Sequence, residues 1–187
     1  YIPYLIAVLL IGYFMILAVG NGYVYDETNV LSIVDRAVLG QAHIYGGAIL
    51  DPEGLLSTIS AVAHVMIGFC AGKLLMEVKD IHEKLERLFL IGTILTFAGF
   101  LLSYGSPICK KIWSPSFVLI TCGMGSSFLA LLVWIIDIKG YKGWSRFFES
   151  FGVNPLFIYV LADILAILFA MIPMTYAGEP TSLHGYI

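Results

Sequence analysis

Asp51 and Glu53 stand two residues apart, next to a long apolar run that contains a single histidine, His64. Ser57 and Ser60 lie between them at helical spacing. Glu53, Ser57, Ser60, His64, Gly68 and Ala71 therefore share one helix face. Lipid disfavours such a face, so the stripe is expected to turn into protein. Paired carboxylates at a helix mouth suit an ammonium group or sugar hydroxyls. A histidine within a span is a candidate for function, and the alternative is a neutral imidazole bonded to a neighbouring helix. Farther on, Lys110, Lys111 and Trp113 cluster in a loop. Cations beside an indole suit an anionic or sugar ligand, and the same residues also suit an interfacial anchor belt. Asp163 is the only acid in the last apolar run, with Tyr159 one turn earlier and Asn154 at the run's start. Asp163 must face the bundle, pair or be protonated, and it serves either proton handling and substrate binding or a structural hydrogen bond.

The composition fixes what must position these groups. The 187 residues are 59% hydrophobic and 12% charged, whereas soluble domains carry about a quarter charged residues. Uncharged runs of membrane-spanning length recur. The chain is read as all-α, a polytopic transmembrane bundle forming a single integral-membrane segment, with spans over about 2–19, 52–76, 88–104, 115–136 and 155–174. Asp51 is expected to cap the second span with Pro52 as its first helical residue, Ser114 to cap the fourth, and Asn154 the fifth. Gly68 and Gly72 form a small-xxx-small pair suited to close helix packing.

Between the first two spans, Val30, Leu31, Ile33, Val34, Ala37 and Val38 share one face, and Ser32, Asp35 and Arg36 lie opposite. This predicts a short amphipathic helix on the membrane surface or over the bundle, or an ordinary covering loop, capped by Asn29 and ended by Gly40. The link 77–87 reads as a solvated helix extension with Asp80–Lys84 and Glu83–Arg87 pairs.

Lys73, Lys79, Lys84 and Arg87 follow the second span, and Lys139, Lys142 and Arg146 follow the fourth. The positive-inside rule places 77–87 and 138–150 in the cytoplasm, and 51–53 and 105–114 outside. A net charge of −3 gives no basic footprint for nucleic acid. Three scattered cysteines, without CxxC spacing, argue against a disulfide framework or a metal site. No Gly-rich phosphate loop, HExxH or GxSxG occurs, so the chain shows no self-contained catalytic set.

Three stretches carry a resemblance: DPEGLLSTISAVAHVMIGFCAG from Asp51 to Gly72, PICKKIWSPSFVL from Pro107 to Leu119, and DIKGYKGW followed by FGVNPLFIY between Asp137 and Tyr159. Together they resemble the membrane acyltransferase family of lysosomal heparan-α-glucosaminide N-acetyltransferase, over roughly residues 40 to 160. The bacterial relatives include a group abundant in Bacteroidetes, some labelled as an N-acetylglucosamine-related transporter. The resemblance implies acetyl-CoA as cosubstrate from the cytoplasm, no metal, and an amino-sugar or glycan acceptor on the outer side of a bilayer, a bacterial inner membrane here. Asp51 and Glu53 would then bind the amine or sugar hydroxyls. The family's catalytic histidine lies upstream of this region, so no histidine here inherits that role, and further helices are expected after Ile187. A homo-oligomer is left open. Cys109 stands where the family pattern has asparagine, and Pro155 where it has a small polar residue. A transporter of N-acetylglucosamine or cell-wall sugar fragments, and a non-catalytic membrane scaffold, are the alternatives.

Overall fold

The structure is a computed structural model describing residues 1–45, 48–176 and 179–182. The chain packs as two units, Tyr1–Lys139 and Gly140–Ile187.

In the first unit, α1 spans Ile2–Val19, α2 Val30–Val38, α3 Ser57–Glu77, α4 Ile81–Leu102 and α5 Pro115–Val133, with α5 running on as a wider turn to Ile138. Four helices, α1, α3, α4 and α5 with its extension, are long and apolar enough to cross a membrane. Val65, Phe69, Phe97, Phe100 and Phe128 point out of the bundle and are exposed. Water disfavours such a surface and hydrocarbon does not. The protein is an integral membrane protein.

The helix ends follow local chemistry. Ser114 accepts the Phe117 N–H at 3.3 Å and Pro115 opens α5, as expected. Asp80 caps α4 by accepting the Glu83 N–H at 2.8 Å. The charged link is a helix extension, as expected: from Ile81 it forms the first turns of α4, which therefore starts before residue 88, with Glu83 and Arg87 paired and Asp80 spent on the cap rather than on Lys84.

α3 departs most from expectation. It begins at Ser57, not Pro52, and its cap position is Leu56, which supplies no side-chain bond. Asp51 does not cap it. Its Oδ1 accepts the Glu53 N–H at 2.9 Å and its Oδ2 the Tyr45 N–H at 3.2 Å, which folds 51–54 into a turn. Asp35 takes the Leu55 N–H at 2.9 Å, so the amides that would have been the helix's first turn are already occupied.

α4 and α5 make the closest pair. A Cβ on Gly123 would lie 2.5 Å from the Thr96 nitrogen and 2.7 Å from the Gly92 oxygen, and one on Gly92 would lie 2.7 Å from the Ser127 nitrogen. Close backbone approach is how small residues join helices in lipid. Gly68 and Gly72 were expected to play this part. They do not: a Cβ on either would meet nothing within 4 Å. They line an open groove of about 360 Å³ between α3 and α5, with His64, Thr121, Gly125 and Ser126. The close-packing glycines are the ones facing another helix's backbone, and spacing alone does not identify them.

In the second unit, α6 (Ser145–Val153) and α7 (Pro155–Met171) meet at a 93° bend. The fifth span starts at Pro155 as expected but ends at Met171, three residues early, and Asn154 supplies no side-chain cap bond to it. Two short strands, β1 (Pro173–Tyr176) and β2 (Glu179–Ser182), pair antiparallel, with Met174 opposite Thr181.

Candidate functional site: a polar cap over the helix bundle

The end of α1, the start of α3 and the α4–α5 loop meet at one end of the first unit, and α2 lies over them. Tyr13, Leu17, Leu31, Leu50 and Ile112 form a small core beneath this cap. Two tyrosines fasten the loop. Tyr13, fully buried, donates to the Ile112 carbonyl at 2.5 Å, and Tyr23 donates to Ser106 Oγ at 2.8 Å. Within the loop, Ser114 Oγ accepts the Cys109 N–H at 3.0 Å and lies 3.1 Å from Ser116 Oγ.

This tethering sends Trp113 inward. The residue has a φ of +52°, unusual for a side chain of its size. Its indole packs against the core of Leu10, Ala63, Val118 and Cys122 rather than lying outside as an anchor or a stacking platform. The ring sits 5.8 Å from His64 and 5.6 Å from Phe117, centroid to centroid. Buried His64 Nδ1, Trp113 Nε1 and Ser60 Oγ have no partner among the described residues. Unpaired buried polar atoms in a bundle call for an explanation, and a ligand, a water or a further segment each supplies one.

α2 forms with its Asn29 cap as expected but turns a different face inward. Its apolar residues were expected to face the membrane surface or the bundle, with Ser32, Asp35 and Arg36 opposite. Instead Leu31, Ser32 and Asp35 are buried, while Ile33 and Val38 are 53% and 66% exposed. Asn29 holds this orientation. It is fully buried, donates from Nδ2 to the Gly22 and Val24 carbonyls at 2.9 and 2.8 Å, and accepts the Leu31 N–H at 2.9 Å. Arg36 pairs with Glu27 at 3.2 Å.

Asp35 is therefore a site residue that the sequence reading did not single out. Its carboxyl is raised above the ordinary aspartate value mainly by burial. The Leu55 N–H opposes the shift and neighbouring Asp51 adds to it. A raised folded-state value means that the folded protein binds the extra proton more tightly, so stability grows as pH falls and is lost as pH rises through the folded-state value. We expect wild type to gain thermal stability relative to Asp35→Asn as pH is lowered towards the ordinary aspartate value of about 3.9. Melting curves of the two proteins across that interval check this, and parallel curves count against it.

The structure joins only some of the residues singled out in the sequence. Asp51, Glu53 and Ser57 share the turn that opens α3, with Ser57 donating to the Gly54 carbonyl at 2.7 Å. His64 and Trp113 are brought together. Lys110 is exposed, and Lys111 lies over the Tyr25 ring, 5.7 Å from its centroid. Among the described residues neither lysine pairs with Asp51 or Glu53. Asn154, Tyr159 and Asp163 belong to the second unit, where all three are exposed. Among the described residues no group of three or more His, Cys, Asp or Glu side chains converges as metal ligands do.

No family model matches the chain. Two curated proteins are similar to it. Heparan-alpha-glucosaminide N-acetyltransferase of Mus musculus is 30% identical over 154 residues, which is 71% of this chain and 23% of that protein. The Homo sapiens protein of the same name is 32% identical over 149 residues, 68% of this chain and 22% of its own length. The chain thus spans less than a quarter of the length of the relatives it matches. The 187 residues, an integral-membrane segment with several apolar spanning helices, are similar over about 70% of their length to part of heparan-alpha-glucosaminide N-acetyltransferase.

Proposed function

We propose that the protein to which these residues belong is a membrane acyltransferase. It moves an acetyl group from acetyl-CoA on the cytoplasmic side to the amine of an amino sugar or glycan on the outer side. The observation that carries this reading is the match, over about 70% of the chain, to two N-acetyltransferases named for a glucosaminide acceptor. The cap supports it. Asp51 and Glu53 sit at the end of the bundle poor in lysine and arginine, where carboxylates can hold an ammonium or sugar hydroxyls. The reaction forms an amide bond to the sugar nitrogen and breaks the thioester, and a base must take the amine's proton. That base lies outside these residues. The groups here bind and orient the acceptor, and deeper in the bundle His64 and Trp113 offer nitrogen atoms that have no partner among the described residues.

The test is turnover of labelled acetyl-CoA with glucosamine by the full protein in proteoliposomes, with glucosamine outside. Acetylglucosamine should form. In the same preparation Glu53→Gln should raise the glucosamine KM several-fold with little change in kcat, because one charge contact of about 1 kcal/mol or more is lost at the mouth. Uptake of labelled sugar without acetylation would replace this reading with a transporter.

A further inference from the structure

Among the described residues, Asp35 is the only charged side chain that is buried, at 1% exposure. α2 has nine residues, and beside Leu31 the edge it buries carries Ser32 and Asp35. Burying a carboxylate is unfavourable unless it is bonded. Asp35 is bonded on one side only. Oδ1 accepts the Leu55 N–H at 2.9 Å, while Oδ2 has no partner among the described residues and packs against Gly54. A Cβ at position 54 would collide with Oδ2 and come within 3.0 Å of the carboxyl carbon. Ser32, one turn earlier and equally buried, has an unpartnered hydroxyl as well.

The bonded amide lies in the turn that carries Glu53. Between Asp51 and Ser57 two carboxylates divide the backbone, Asp51 holding the Glu53 N–H and Asp35 the Leu55 N–H. Ser57 closes the turn on the Gly54 carbonyl. Asp51 belongs to the turn itself, whereas Asp35 reaches it from twenty residues away, on a helix that Leu31 and Asn29 also hold in this orientation.

We propose that Asp35 is a positioning residue for the acceptor: from α2 it locks the Asp51–Ser57 turn in the shape that turns Glu53 to solvent and Ser57 to the bundle. The proposal rests on the acyltransferase reading for its kinetic consequence but not for its structural one. Gly54 belongs to the device, because only a residue without a side chain lets the carboxylate reach the Leu55 amide.

The experiment takes the full protein with Asp35→Ala, Asp35→Asn and Gly54→Ala, and measures KM for glucosamine and for acetyl-CoA separately. Asp35→Ala should raise the glucosamine KM about tenfold, the weight of one hydrogen bond to a charged group, and leave the acetyl-CoA KM unchanged. Gly54→Ala should do the same by pushing the carboxylate away. Asp35→Asn should return within about threefold of wild type, because its amide oxygen accepts the same N–H. Two kinetic results overturn the proposal: an equal rise in both KM values, or an Asp35→Asn variant with kcat lost and glucosamine KM unchanged, which would make Asp35 a catalytic residue. Hydrogen exchange at the Leu55 amide reads the structural claim without any turnover. It should speed up in Asp35→Ala and Gly54→Ala and stay slow in Asp35→Asn. If wild type transfers no acetyl group, the acyltransferase reading fails alone. If exchange is unchanged in Asp35→Ala, the proposal fails whatever the activity.

Discussion

Gly123→Leu is expected to dismantle the bundle, while Gly125→Leu, two residues along the same helix, is expected to be tolerated. A Cβ at 123 would stand 2.5 Å from the Thr96 nitrogen and 2.7 Å from the Gly92 oxygen, whereas one at 125 would meet nothing within 4 Å. The obstacle at 123 is backbone, which cannot rotate aside as a side-chain tip can. Overpacking of this kind costs about 3 kcal/mol, at the upper end of the usual range. For a chain of this length that lowers the melting temperature by roughly 10 °C. Size-exclusion profiles and melting curves of the two variants in detergent make the comparison. Equal destabilisation by both would refute the account of the α4–α5 seam.

Asn29→Ala should release α2 from the cap without disturbing α4 and α5. Asn29 makes three hydrogen bonds from a fully buried position, two as donor and one as acceptor. Its removal strands two carbonyls and one amide, and at about 1 kcal/mol each the loss approaches 3 kcal/mol. Limited proteolysis should then cut within residues 20–40, a region where wild type resists. A resistant Asn29→Ala protein would mean that the apolar contacts and the Asp35–Leu55 bond suffice to hold the cap. Asn29→Asp is informative beside it: the N-cap acceptor is kept and both donors are lost, so an intermediate effect is expected.

The spanning helices were legible because bilayer thickness imposes its own length on the sequence, and long apolar runs have few other uses. The likeness to the N-acetyltransferases was legible for a different reason, from short stretches whose order matches. What the sequence did not reveal depended on partners far along the chain. Pro52 is a good helix opener in isolation, but Asp35 competes for the Leu55 amide and moves the start to Ser57. The apolar face of α2 is easily found, yet nothing within the helix says which face is buried, since that depends on distant Gly54 as well as on the nearby carbonyls that Asn29 reaches. Gly68 and Gly123 look alike as small residues in spans, and only the neighbouring helix distinguishes an open groove from a backbone contact. Trp113 reads as a stacking platform for a ligand or an interfacial anchor until the tethered loop turns it towards His64.

The two tyrosine tethers set an order for biosynthesis. Tyr13 and its acceptor at Ile112 are 99 residues apart, and Tyr23 and Ser106 are 83 apart. At ribosomal rates of about 5–20 residues per second, α1 waits roughly 5–20 s for the carbonyl that will take its buried hydroxyl. Throughout that interval α1 is a nascent span with an unsatisfied phenol, α2 lacks its finished floor, and the cap cannot close. The hairpin of α4 and α5, whose contacts are local, can assemble as soon as it is inserted. Maturation of this region is therefore completed at the mouth, and a stalled or truncated chain ending before Ile112 would carry its spans in the bilayer with the cap unsealed.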